Sequence, residues 1–180
     1  MKRIIALAAL SLVLIGCASG PKTEEQQKDL STEVRAAVDR LKLRDPSMDK
    51  FFAGSSGYVV LPSVGKGGLI FGGAAGNGEV FSGGRSIGFC SMNQGSVGAQ
   101  IGGQVFDEFI FFKDQSALNQ FKNGTFQFAA QASAVMATSG AGAANDYQNG
   151  VAVFIGSSTG AMLDASIGGQ QFDFRAGGAK

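Results

Sequence analysis

The sequence contains no histidine. This excludes catalysis by Ser-His or Cys-His pairs and every zinc site that needs an imidazole. Proline occurs only 3 times and cysteine only twice, at Cys17 and Cys90, against 28 glycines. Charge is nearly balanced: the formal net value is +1, and −1 once a leader containing Lys2 and Arg3 is removed. That balance gives no electrostatic reason to expect nucleic acid as a partner. Neither G-x-x-x-x-G-K-[ST] nor G-x-G-x-x-G occurs despite the glycine content, so no nucleotide-binding loop is expected, and Asp146 and Asp164 have no spacing that suggests calcium, so no cofactor or metal is assigned. The apolar run at residues 4–15 would cover only about 18 Å as a helix, against a hydrocarbon core of about 30 Å, and is too short to span a bilayer. What remains is a chain with 44% apolar residues and 15 phenylalanines, enough for one domain with a real core.

That core is organised around residues 57–84, GYVVLPSVGKGGLIFGGAAGNGEVFSGG. The run from Tyr58 to Leu61 reads as a strand closed by Pro62, which cannot donate to a ladder. Lys66 then sits between glycines in an expected tight loop, and Asn77-Gly78 falls where a type I′ hairpin turn is expected, with residues 79–81 returning. Glycine inside the arms weakens a strand, so it must serve a bulge, a sharply coiled sheet or a close approach.

The string VLPSVGKGGLIFGGAAGNGEVF, with IGGQ and EFIFF further on, resembles the SYLF domain family over about residues 34–174. The resemblance implies a phospholipid-binding, non-catalytic module. Eukaryotic members also bind actin, whereas bacterial members are mostly secreted or lipid-anchored. The glycines on both sides of Lys66 let backbone amides approach an anion such as a lipid phosphate together with the ammonium, and this loop lies within the best-matching stretch. The alternative is a lysine that only keeps a hairpin rim soluble.

Residues 1–16 begin with Lys2-Arg3 and have the form of a secretory leader. Their end, Leu14-Ile15-Gly16-Cys17, resembles the bacterial lipobox, in which the cysteine is acylated and becomes the first residue. More than one acyl chain makes such anchoring stable. Ala18 follows rather than aspartate, which by resemblance to enteric lipoproteins favours the outer membrane, with the domain facing the periplasm. Actin is not expected in that compartment. Cys90 is then the remaining thiol, read as a small buried hydrophobe in a strand.

Residues 17–23 form a tether and 24–180 a single domain, helical over 24–53 and mainly β over 57–174. In the first helix Leu30, Val34, Ala37, Val38 and Leu41 share one face, while Lys28, Arg35 and Lys42 recur every seven residues beside it. A basic row next to an apolar stripe suits a helix lying on an anionic surface. It equally suits a helix packed on the sheet with a solvated outer side. The resemblance adds weight to the first, because phosphoinositide contact in eukaryotic members is placed near this end. Further on, Asp114 is expected to cap an inserted helix near 114–122 that turns Ala117, Leu118 and Phe121 inward. Strands are expected at 85–92, 96–102, 105–112, 151–155 and 161–167, with a turn at 157–160.

SVGAQIGGQVFDEF at 96–109 is echoed by LDASIGGQQFDF at 163–174, which aligns Gln104 with Gln170 and Phe106 with Phe172. Two equivalent strand–kink–strand corners are expected there. Asp107, Glu108 and Asp173 are expected to face solvent on these strands. Two matches to G-x-S-x-G, around Ser86 and Ser158, and matches to S-x-x-K such as Ser47–Lys50 and Ser63–Lys66, come cheaply at this composition and lack companion elements.

The expected fold is α+β: a strongly coiled, glycine-rich antiparallel sheet or small closed barrel, with N-terminal helices and one short inserted helix. The expected function is a lipid-anchored envelope protein binding anionic head groups. The alternatives are a structural or protein-interaction module of the envelope with a protein partner, or an enzyme with an unfamiliar site.

Overall fold

The computed structural model describes residues 20–68, 71–97, 102–124, 126–128, 133–160 and 166–177. The leader, Cys17, Ile101 and most of the strand expected at 161–167 lie outside them. The chain enters on a helix, α1 (Glu24–Arg44), set by a capping box: the Thr23 hydroxyl accepts from the Gln26 N–H at 3.2 Å, and Gln26 Oε1 accepts from the Thr23 N–H at 3.2 Å. Leu30, Val34, Ala37 and Leu41, spaced by three or four, form its buried stripe. Asp45 is extended before Pro46, a residue that disfavours helix in its predecessor, and α1 stops there. A 3-10 turn, Pro46–Met48, leads into α2 (Asp49–Gly54), which buries Phe51.

The sheet comprises β1 (Gly57–Gly68), β2 (Phe71–Ser82), β3 (Arg85–Val97), β4 (Gly102–Phe112), β5 (Val135–Met136), β6 (Val151–Gly160) and β7 (Gln170–Ala176). Its order is β5-β6-β4-β1-β2-β3-β7, antiparallel throughout except for the β5–β6 pair. Side-chain alternation gives it two apolar faces. On one, Val60, Phe89, Phe109, Phe111 and Phe154 meet the buried stripe of α1 and Phe51 of α2. On the other, Val59, Leu61, Val64, Met92, Phe106, Ile110 and Phe112 meet Leu118 and Phe121 of α3 (Gln115–Lys122). That helix is capped as expected, Asp114 Oδ1 accepting from the Ala117 N–H at 2.9 Å. A final short helix, α4 (Ala141–Ala144), lies against the 3-10 turn.

Gln170 of β7 reaches Glu108 of β4 at 3.1 Å, although four strand spacings, about 19 Å in a flat sheet, separate the two strands. The sheet therefore coils strongly around its α3 side. It does not close. Among the described residues, β5 and β7 remain unpaired with each other, and a single bridge between Ser133 and Ser166 joins the segments that precede them. The closed-barrel alternative is thus corrected to an open sheet whose inside is filled by α3 and side chains.

Four local expectations also change. Asn77-Gly78 lies in the middle of β2, and the β2–β3 turn is made by Gly83 and Gly84, with φ of +57° and +74°. Gly78 is needed for proximity: a Cβ there would lie 2.7 Å from the Val60 carbonyl oxygen. Pro62 does not end the first strand. It sits beside a bulge in β1, where Ser63 has φ +64° and the register shifts against both neighbours, so its missing N–H is tolerated. Residues 157–160, expected as a turn, continue β6. The two IGGQ corners are not equivalent either, since Gly102 and Gly103 belong to β4 whereas Gly168 and Gly169 lie in a turn before β7.

Candidate functional site

The ladder register carries one row of residues across five strands: Gln104 of β4, Lys66 of β1, Ala74 of β2, Gln94 of β3 and Gln170 of β7. All five are buried, so four polar side chains stand inside the coil. Such groups are tolerated only when hydrogen-bonded. Lys66 Nζ donates to the Ser166 carbonyl at 2.9 Å, and Gln94 Nε2 donates to the Gly168 carbonyl at 2.9 Å and more weakly to that of Ser166 at 3.4 Å. The segment ahead of β7 is therefore held by side chains from β1 and β3.

Glu108 shares its face with Phe106 and Ile110 and is wholly buried. Burial pushes its carboxyl up to about 7, against the opposing pull of the Gln170 hydrogen bond and the Lys66 ammonium. Glu108 Oε2 accepts from Gln170 Nε2 at 3.1 Å. Glu108 Oε1, Gln170 Oε1 and Gln94 Oε1 are buried without a partner among the described residues. Cys90 is buried on the same side, and burial, then the Glu108 carboxylate, push its thiol up, so it is a poor nucleophile as its strand position suggests.

The expectation that Asp107, Glu108 and Asp173 face solvent holds only for Asp173, which pairs with Arg175 at 3.4 Å. Asp107 points to the opposite face from Glu108 and meets Arg40 of α1 at 3.0 Å. Neighbours in a strand point opposite ways, and here both faces are covered.

Of the residues proposed for head-group contact, Cys17 lies outside the described residues. Lys28 and Arg35 are exposed on the outer side of α1. Lys42 is half-buried, paired with Asp49 at 2.8 Å and placed over the Phe52 ring at 4.7 Å. Lys66 is not in a loop: it lies within β1 at 4% exposure, on the face opposite α1. The structure thus groups Lys28 and Arg35, diverts Lys42 into a local pair, and brings Lys66 together with Glu108 and the glutamines. The glutamines were missed, although the IGGQ echo, which gives Gln104 and Gln170 equal places beside Phe106 and Phe172, carried the signal.

No S-x-x-K pair is assembled. Ser63 is exposed where Lys66 is buried, and Lys50 Nζ donates to the Asn145 carbonyl at 2.8 Å while the Ser47 hydroxyl serves Asp45 at 2.6 Å. Among the described residues no group of three or more acidic or sulfur ligands is placed to hold a metal, and no helix is long and apolar enough to cross a membrane. A groove of about 380 Å³ is lined by Phe126, Phe128, Val151, Val153, Asp146 and Ile167 among others, with no lysine or arginine among the described residues that line it.

These features define an α+β domain in which helices back an open, coiled sheet with a polar row inside. Over residues 93–177 the chain matches the family described as Ysc84: Las17-binding protein actin regulator, so the SYLF resemblance is supported over that stretch. The match begins in β3 and ends just past β7, taking in Gln94, Gln104, Glu108 and Gln170 but not α1 or Lys66. No curated protein matches the chain.

Proposed function

We propose that this is a non-catalytic, lipid-anchored protein of the bacterial cell envelope whose SYLF-like domain binds anionic phospholipid head groups through the outer side of α1. The observation that carries the reading is that α1 buries its apolar stripe against the sheet and leaves Lys28 and Arg35 exposed. Family membership over 93–177 supports a binding rather than a catalytic role. Lys66 belongs in this reading to the fold, since its ammonium is engaged inside the sheet. Anchoring rests on Leu14-Ile15-Gly16-Cys17, and the outer membrane on Ala18.

The test is flotation of unlipidated protein with phosphatidylglycerol or phosphatidylcholine vesicles. Binding should favour the anionic vesicles, weaken with salt, and fall roughly 30-fold when Lys28 and Arg35 are both changed to Ala, since each surface cation contributes about 1 kcal/mol. Equal binding to both vesicles, or none at low salt, defeats the head-group reading. A second reading, a protein-interaction module, is favoured by Leu43, which is 85% exposed on α1, and by the family description, which names a protein partner and actin. An envelope location would exclude those particular partners.

A further inference from the structure

We propose that Glu108 and Gln170 form a proton-operated latch: with a proton on Glu108 the carboxyl and carboxamide close into a doubly hydrogen-bonded pair that holds β7 and the segment 166–169 against the inner face, and loss of that proton loosens them. Half of the pair is already made, Gln170 Nε2 donating to Glu108 Oε2 at 3.1 Å. The other oxygen of each group, Glu108 Oε1 and Gln170 Oε1, is buried and without a partner among the described residues. Two acceptors cannot bond each other. A single proton on Glu108 Oε1 turns it into a donor and satisfies both, which is the complement that a carboxylic acid and a primary amide offer each other.

The surroundings favour the neutral acid. Glu108 is wholly buried and its strand neighbours across the ladder are Leu61 and Ile155. From β1 the Lys66 ammonium acts on it, but Lys66 Nζ donates to the Ser166 carbonyl, and its attraction does not offset the burial. From β3 the nearby titratable group is Cys90, whose own thiol is pushed up and stays neutral. From β7 it meets Gln170. Asp173 lies on the exposed side and bears on Cys90, and α3 presents only Ala117, Leu118 and Phe121 to this core. With the carboxyl near 7 in the folded chain and at its ordinary 4.5 when unfolded, the folded state binds the extra proton. The stabilisation is complete below about 4.5, declines as pH rises through that window, and is gone above about 7.

The latch has a mechanical reach because Gln170 opens β7 and follows directly on residues 166–169, whose carbonyls accept from Lys66 and Gln94. Ile167, in the same segment, is 2% exposed and lines the groove beside Phe126 and Phe128. Releasing Glu108 therefore loosens the wall of that groove and exposes an apolar side chain. This inference is independent of what α1 binds.

The full chain is followed by urea denaturation and by hydrogen exchange of residues 166–176 at about pH 5 and about pH 8. The unfolding constant of the wild type should rise on the order of a hundredfold between them, with faster exchange in 166–176. Glu108→Gln, neutral at both values and still able to pair with an amide, should remove the dependence and exceed the wild type in stability at pH 8. Gln170→Leu should give fast exchange in 166–176 at both values. If Glu108→Gln does not fold, the infrared carboxylic-acid band of the wild type, present at pH 5 and lost towards pH 8 in step with faster exchange, decides. An unchanged pH dependence in Glu108→Gln, or exchange in 166–176 that does not follow the band, overturns the latch.

Discussion

A lysine framed by glycines reads as a loop, yet Lys66 is a strand residue whose charge is spent inside the sheet. The glycines beside it belong to the ladder between β2 and β4, with Gly67 paired to Gly73 on one side and Gly103 on the other. Lys66→Met should cost about 1–3 kcal/mol in urea denaturation, because the Ser166 carbonyl loses its shorter side-chain donor, and vesicle selectivity per folded molecule should not change. Glycine itself can be tested at two strand positions. A Cβ at Gly78 would press on the Val60 carbonyl at 2.7 Å and on Leu61 at 2.8 Å, whereas one at Gly95 would meet nothing within 4 Å. Gly78→Ala should therefore destabilise by about 1–3 kcal/mol, and Gly95→Ala should be neutral or stabilise by up to about 1 kcal/mol. Equal denaturation midpoints for the two variants would remove proximity as the reason for Gly78.

At the scale of elements, the helices were legible and the hairpins were not. The Asp114 cap and the inward set Ala117, Leu118 and Phe121 suffice for α3, and the stripe on α1 suffices for its orientation, because both signals are local. Asn77-Gly78 misled because a glycine demanded by a neighbouring strand looks the same in sequence as one demanded by a turn. Glu108 misled because alternation puts Asp107 and Glu108 on opposite sides but does not say that both sides are covered, one by α1 and the other by α3 and the coil of the sheet. The junction of α1 and the 3-10 turn carries its own test. Asp45, 2% exposed, accepts from the Ser47 N–H at 3.1 Å, the Ser47 hydroxyl at 2.6 Å and the Gly142 N–H at 2.7 Å. Burial disfavours its charge, but these bonds and one from Gly140 outweigh it and hold the carboxyl below its ordinary 3.8. Asp45→Ala should cost on the order of 3 kcal/mol at neutral pH. The stabilisation from Asp45 is present above the ordinary value and is lost as pH falls through the lowered one, so the gap between wild type and variant should narrow in acid.

Over the whole molecule, the anchoring proposed at Cys17 would be separable from the domain. Cys17→Ser should free the protein from the membrane fraction, or leave it stalled with an uncleaved leader, while the domain keeps its denaturation midpoint; a variant that still fractionates with the outer membrane would remove the lipobox. The strand order has a consequence for how the chain is made. β2 and β3 can zip together around Gly83-Gly84 as soon as both have been synthesised, but β7, the last of the described strands, must find β3 across everything in between. Until it arrives, β3 is an open edge, and Glu108 lacks the amide of Gln170. A chain cut short before Gln170 would thus hold a bare strand and an unmatched buried acid at once. Such nascent or truncated chains are the form in which this protein should be most prone to stick to its own copies and most in need of a holding chaperone.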